Sequence, residues 1–279
     1  MKKPFIYFLK FMVSSILIFW ILKKINFNDF KHTFSHISLH TLSWIIFFAI
    51  LQTYFMGLRW YYVQQKFMDS VSLKTSLKYI WMGQFFSQFM PGGMISGDII
   101  RGWYLKSAHL NLKKISQIII LEKFFLIIGI ILFCLPYCAF HFPSLLIPIT
   151  FLALGGIWYI FKKRLHFKNV CPIFICTIII NGFACLNLYF LMQDFNPHIS
   201  LLSAFIFMPV ITFVGTFPIS FGGWGIREGA TIYFLKDLGF SSEVSLTISL
   251  ALVFSSFISS LPGLFTWISI RNQKSHRSS

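Results

Sequence analysis

The stretch Ile115–Ala139 reads ISQIIILEKFFLIIGIILFCLPYCA, 25 residues whose only charges are Glu122 and Lys123. A helix crossing the hydrocarbon core of a bilayer needs roughly 20 mostly apolar residues. This run meets that requirement, and it carries an acid and a base where ionisable groups are costly. Outward from it, apolar runs at 5–22, 42–63, 144–161, 170–192 and 244–270 supply the other candidate spans. Two further apolar stretches, around 76–100 and 201–236, are interrupted near their middles by Pro and Gly. Irregular backbone at membrane depth survives only where protein buries it or it lines a wet cavity. Both stretches are therefore expected as broken or re-entrant helices.

The fold class that follows is all-α: a polytopic membrane bundle forming a single integral membrane domain over residues 1–279. It has six full spans plus two broken segments, with eight complete spans as the alternative. Composition agrees. Of the 279 residues 56% are hydrophobic and 11% charged, against about 25% charged in soluble domains, which excludes a soluble globular protein, a disordered tail and a disulfide scaffold. Met1-Lys2-Lys3 and the apolar run Phe5–Leu22 are followed by Lys23-Lys24 and no small-residue cleavage site, so this segment reads as a retained first span rather than a signal peptide. The five cysteines lie in or beside apolar runs without zinc-site spacing; no metal or other cofactor is expected.

The net charge is +16. The basic residues sit in short loops, which is the positive-inside pattern and points to membrane lipids rather than nucleic acid as the partner. With the N-terminus inside, the segments 1–10, 59–78, 101–114, 162–168 and 271–279 hold 18 of the 24 Lys and Arg, and the outer segments hold Lys23, Lys24, Lys31 and Lys236. Both termini are expected in the cytoplasm, 271–279 being a cytoplasmic tail. Between the first two spans, residues 23–41 place Phe27, Phe30, Phe34 and Ile37 on one helical face and His32, His36 and His40 on the other. That pattern predicts an interfacial amphipathic helix with a wet His face; three stacked imidazoles are also a metal arrangement, but no carboxylate or Cys joins them.

The chemistry is expected at the two breaks. The first reads Pro91-Gly92-Gly93-Met94-Ile95-Ser96-Gly97-Asp98-Ile99-Ile100-Arg101; the second reads Pro218-Ile219-Ser220-Phe221-Gly222-Gly223-Trp224-Gly225-Ile226-Arg227-Glu228. Each combines Pro, paired Gly, an acid and an Arg. Pro removes an N–H and ends a helix, while Gly permits tight turns and close approach. A helix restarting after such a break points free N–H groups and its positive dipole end into the gap, an anion site that Arg101 or Arg227 could complete. The bland alternative is local: Asp98 and Arg101 form an ion pair one turn apart, and Glu122 and Lys123 lie near the inner interface with Lys123 snorkelling. Two similar motifs entering from opposite faces suggest an inverted repeat, the plan of many secondary transporters.

At these motifs the chain resembles the lysylphosphatidylglycerol synthase transmembrane family, also called the flippase-like domain family. Its Pro-Gly stretch followed by Gly, acid and Arg is met by Pro91 through Gly97-Asp98 and Arg101. Its Glu-Arg pair is met by Glu122-Lys123, with Lys in place of Arg. Its Gly-Gly-x-Gly-x-Arg-Glu is met by Gly222-Gly223-Trp224-Gly225-Ile226-Arg227-Glu228 behind Pro218, and its closing Leu-Pro-Gly by Leu261-Pro262-Gly263. The resemblance implies a bacterial cytoplasmic-membrane protein that handles a lipid, in a family whose long members add a soluble domain transferring lysine to phosphatidylglycerol. Only nine residues follow the last span here, so the expected activity is lipid translocation without covalent chemistry. The lipid would be a phospholipid, an aminoacyl-phospholipid or a polyprenyl-linked lipid, anionic or aminoacylated. The residues expected to line its path are Pro91, Gly92, Gly93, Gly97, Asp98, Arg101, Glu122, Lys123, Pro218, Gly222, Gly223, Gly225, Arg227 and Glu228. Arg101 and Arg227 would meet phosphate. The alternatives are a membrane enzyme modifying a head group, although no P-loop, Gly-x-Ser-x-Gly or His-Glu-x-x-His motif is present, and a membrane partner of a separately encoded lipid-modifying enzyme.

Overall fold

The structure, a computed structural model, describes residues 32–68, 71–90, 94–107, 110–141, 167–216 and 225–275, with isolated positions among 12–19 and 144–155. All regular structure among these residues is helical. In chain order the helices are α1 (Leu39–Gln64), α2 (Leu73–Phe89), α3 (Met94–Ser107), α4 (Leu112–His141), α5 (Phe167–Gln193), α6 (Leu201–Gly215), α7 (Ile226–Lys236), α8 (Ser242–Ser260) and α9 (Pro262–Ser275).

Serines begin three of them. Ser38 accepts from the Thr41 N–H at 3.0 Å, Ser200 from Leu202 at 3.1 Å and Ser241 from Val244 at 3.3 Å, each satisfying a donor that the first turn leaves free. Among the described residues four helical runs are long and apolar enough to cross a membrane: Leu39–Gln64, Leu112–Cys138, Val170–Gln193 and Ser242–Ser269. They answer the expected spans 42–63, 115–139, 170–192 and 244–270. The expected spans 5–22 and 144–161 lie outside the described residues. The last span is broken at Leu261, where Pro262 has no N–H to continue the ladder. There the Trp81 indole N–H donates to the Ser259 carbonyl at 3.1 Å, and Gly263, lacking a Cβ, lets its backbone come against that of Trp81.

α1 and α5 form an antiparallel pair that threads two cores. Ile45 of α1 packs with Leu188, Leu191 and Met192 of α5, and Ala204, Phe207 and Ile211 of α6 and Leu235 of α7 join them. At the other end of the pair, Trp60 and Val63 of α1 pack with Val170 and Ile173 of α5, together with Ile80 of α2, Leu105 of α3 and Phe125 of α4. The first end is also latched by Asp194, whose carboxylate accepts from the Ser38 N–H at 3.0 Å and from the Thr41 hydroxyl at 2.9 Å.

The interrupted segments fold back on themselves. α2 and α3 are antiparallel: the Tyr79 and Tyr104 rings stack at 5.3 Å, and a Cβ on Gly97 would stand 2.5 Å from the Gly83 carbonyl oxygen. α6 and α7 meet likewise, a Cβ on Gly215 standing 3.7 Å from that of Arg227. The 17 and 14 residues of α2 and α3 span only ~25 and ~21 Å; the 15 and 11 of α6 and α7 span ~22 and ~16 Å. None matches the ~30 Å hydrocarbon core. The open end of the first hairpin packs at one end of the α1–α5 pair and that of the second at the other.

Residues 23–31 of the amphipathic segment 23–41 lie outside the described residues, and the described part, 32–41, differs from the expectation. The His36 and Ile37 N–H groups turn back to the Thr33 and Phe34 carbonyls at 3.1 and 3.4 Å, and Ser38 then caps a new helix. His40 therefore belongs to α1, where its Nε2 accepts from the Trp44 indole at 3.0 Å. The three imidazoles do not line one continuous helix, because a serine cap resets the helix between the second and the third. At the C-terminus α9 runs on to Ser275, so residues 271–275 continue the last helix.

Candidate functional site

A cluster of five charged side chains lies where α1, α3 and α4 meet. α3 presents Asp98 and Arg101 one turn apart, and these two pair directly. α4 presents Glu122 and Lys123. Lys123 Nζ reaches Asp98 Oδ2 at 2.9 Å and Glu122 Oε2 at 3.8 Å, and Arg101 Nη2 lies 3.6 Å from the same Glu122 oxygen. The fifth member comes from α1: Arg59 Nη2 donates to Glu122 Oε1 at 2.7 Å.

These groups are enclosed by protein. Arg59 is 2% exposed, Glu122 3%, and Asp98 and Arg101 7% each. Trp60 forms the floor, with the Arg101 guanidinium carbon 4.5 Å from the centroid of its ring, a cation–π contact strengthened by desolvation. Glycine gives Arg101 its room: a Cβ on Gly83 would press the Arg101 Cγ and Cδ at 3.1 Å. The close approach of Gly97 to Gly83 sets the separation of α2 and α3 and so the depth at which Asp98 and Arg101 sit. The Arg59 Nε, Arg101 Nε, Trp60 Nε1 and Glu122 Oε2 atoms are buried without a hydrogen-bond partner.

The second motif holds a smaller pair. Gly225 precedes α7 with φ 85°, a left-handed conformation that favours glycine. Its N–H donates to Glu228 Oε2 at 2.6 Å, and Arg227 Nη2 donates to Glu228 Oε1 at 3.2 Å. Glu228 is 3% exposed. It sits on the positive end of the α7 dipole and closes off a free N–H of the first turn. The Arg227 side chain is 26% exposed and its Nε is without a partner.

The sequence placed Asp98, Arg101, Glu122, Lys123, Arg227 and Glu228 along one expected lipid path. The structure joins Asp98, Arg101, Glu122 and Lys123. Among the described residues no ion pair or hydrogen bond links that group to Arg227 and Glu228, which pair with each other. Gly97 and Gly225 act through backbone geometry. Pro91, Gly92, Gly93, Pro218, Gly222 and Gly223 lie outside the described residues. Arg59 and Trp60 were not foreseen. Arg59 stands near the end of an apolar run, ahead of Lys66, Lys74 and Lys78, and was counted with them as a loop residue. The signal that could have found it is the aromatic surround of Arg59-Trp60-Tyr61-Tyr62, an apolar setting that an inner loop does not need.

The family model described as the lysylphosphatidylglycerol synthase TM region matches residues 7–162 and 159–263. The chain belongs to that family. No curated protein matches it. The family match takes in both glycine motifs, the α4 acid–base pair and Leu261-Pro262-Gly263. It fits a multi-pass membrane protein concerned with lipid.

Proposed function

We propose that this family member moves a lipid between the leaflets of a bacterial cytoplasmic membrane. The lipid is a phospholipid, an aminoacyl-phospholipid or a polyprenyl-linked lipid; its head group passes the buried charges while its chains stay in the bilayer. The observation that carries this reading is the cluster of Arg59, Asp98, Arg101, Glu122 and Lys123 inside otherwise apolar helices. Buried ion pairs give little net stability over apolar packing, and ionisable groups in membrane helices mark substrate paths.

The helix lengths support six spans with two re-entrant hairpins. The open ends of those hairpins at opposite ends of the α1–α5 pair support entry from opposite faces, hence an inverted repeat. Both termini lie in the cytoplasm in this reading. Of the 18 inner basic residues, Arg59 and Arg101 are buried in the cluster; 18 less these two leaves 16 inside against four outside, so the positive-inside bias survives.

The test is reconstitution into liposomes holding head-group-labelled lipid, with the outer leaflet bleached chemically. A translocating protein exposes the inner-leaflet label; a head-group enzyme changes lipid mass; a scaffold does neither. An unchanged protected fraction with correctly inserted protein, for every lipid class above, overturns the proposal. Reporter fusions at the two termini test orientation: a periplasmic C-terminus overturns the span count.

A further inference from the structure

A cavity of about 350 Å³ lies between α4, α5 and α6, inside the membrane-crossing runs of α4 and α5. Leu132 and Pro136 of α4 and Phe174 and Ile178 of α5 line its sides. One wall is aromatic: the Phe133 ring of α4 and the Phe205 ring of α6 stack with centroids 6.1 Å apart. The cavity shuts where α4 meets α5, at Gly129 and Thr177, because a Cβ on Gly129 would overlap the Thr177 Cγ2. Gly129 stands two helical turns beyond Glu122, about 10 Å along α4, so the cavity is separate from the charged cluster.

Thr177 carries the one hydroxyl among the lining side chains, and it already donates to the Ile173 carbonyl at 2.9 Å. A bound water needs roughly two to four polar partners, so a cavity with this lining stays dry. Left empty, it would forfeit dispersion contacts for every side chain around it. Ile178 is 44% exposed, so the cavity opens sideways into the bilayer, where the apolar matter at hand is hydrocarbon chain. An apolar cavity of about 150 Å³ takes one benzene, and in that proportion this one holds roughly a dozen chain carbons. That is most of one acyl chain. It is too little for both chains of a lipid and far too little for a polyprenyl tail.

We propose that this cavity is a binding site for a single acyl chain of a membrane phospholipid, entered past Ile178, with the methyl end of the chain against the Gly129–Thr177 contact. The Phe133–Phe205 wall gives a flexible chain a flat, rigid face, and the shut end limits the length that fits. A free fatty acid offers the same chain. The phospholipid is the occupant because it is the form in which the bilayer presents chains at this depth. The inference is independent of translocation: the site fills whether or not lipid crosses between leaflets.

The experiment uses the full-length protein in a sterol-based detergent, whose fused rings do not imitate a flexible chain. Phosphatidylglycerol carrying a photoreactive diazirine near the end of one acyl chain is added in rising amounts, and the labelled peptides are located by mass spectrometry. Labelling within Gly129–Pro136 and Phe174–Ile178 is expected to saturate at a single lipid per protein, while labelling beside Ile120, exposed on α4 away from the cavity, keeps rising. Ile178→Trp, which sets an indole across the opening, weakens the saturable binding by about tenfold, the equivalent of about two displaced methylenes, and leaves the labelling beside Ile120 unchanged. Leu132→Phe fills the cavity from α4 and decides the matter if Ile178→Trp does not fold. Labelling that rises alike at the cavity and beside Ile120, or that is indifferent to both filling variants, is ordinary solvation by lipid and overturns the proposal. Displacement by palmitate as effective as by unlabelled phosphatidylglycerol overturns the assignment to a phospholipid, and stronger displacement by a polyprenyl phosphate overturns the assignment to an acyl chain.

Discussion

Glu122 is the member of the cluster whose loss is felt most. It accepts from Arg59 at 2.7 Å, lies 3.6 Å from Arg101, and is 3% exposed. Glu122→Met removes the carboxylate but roughly keeps the volume, and it leaves Arg59 buried with no counter-charge. Breaking a buried pair in this way costs about 3–5 kcal/mol. At about 2–4 °C per kcal/mol for a chain somewhat shorter than this one, the melting midpoint falls by roughly 10 °C. Arg59→Met costs less, because Glu122 keeps the Arg101 and Lys123 contacts. The double variant restores the formal charge of the cluster and puts two apolar side chains among Trp60, Ile118 and Phe125. Buried pairs replaced together by apolar residues come out neutral or up to about 4 kcal/mol more stable. The double variant is therefore expected to melt well above Glu122→Met alone. The assay is a double-mutant cycle on detergent-solubilised protein, with intact monodisperse protein followed by fluorescence-detected size exclusion after heating. Strict additivity of the two single effects would falsify the claim that Arg59 and Glu122 form the energetic centre of the cluster.

Two further outcomes are expected. Gly97→Ala drives a Cβ onto the Gly83 carbonyl oxygen and destabilises the α2–α3 hairpin by about 1–3 kcal/mol, read as a lower melting midpoint with insertion intact. Gly182→Ala, which meets nothing within 4 Å, serves as the control and gains up to about 1 kcal/mol of helix propensity. Glu228→Gln weakens the bond from the Gly225 N–H by about 1–2 kcal/mol, so hydrogen exchange accelerates over Gly225–Gly229 and not in α8; protection equal to the wild type there would remove Glu228 from its capping role.

What the sequence made legible was whatever violates the local pattern. A glutamate and a lysine inside Ile115–Ala139 are anomalous without any knowledge of neighbours, and the Pro-Gly interruptions announce helices that stop short. The four described spans could be read from run length alone, because in lipid each helix satisfies its own backbone. Partnership was not legible. That Glu122 meets Arg59 depends on α1 crossing α4, which no periodicity encodes, and Arg59 was hidden among basic residues whose usual place is a loop. The kinship of the two glycine motifs invited a single shared path, yet Glu228 pairs with its neighbour Arg227 while Asp98 pairs with Arg101 and with Lys123 of α4. Ser38 was missed for a different reason: a hydroxyl in a polar segment looks like any other until its oxygen is seen on the Thr41 N–H.

The Arg59–Glu122 bond also sets a schedule for synthesis. Its partners are 63 residues apart in the chain, so at roughly 5–20 residues per second Arg59 emerges several seconds before its carboxylate exists. During that interval a guanidinium in the final two turns of α1 has no counter-charge in the bilayer, and a long side chain so placed snorkels to the head groups. The first half of the bundle is accordingly inserted shallow and drawn to its final depth when α4 arrives. Nascent chains carrying Gln64→Cys and arrested before residue 122, where no native cysteine precedes the arrest point, should show that thiol open to a water-soluble reagent that the finished protein excludes, and equal labelling of both would remove this order of events.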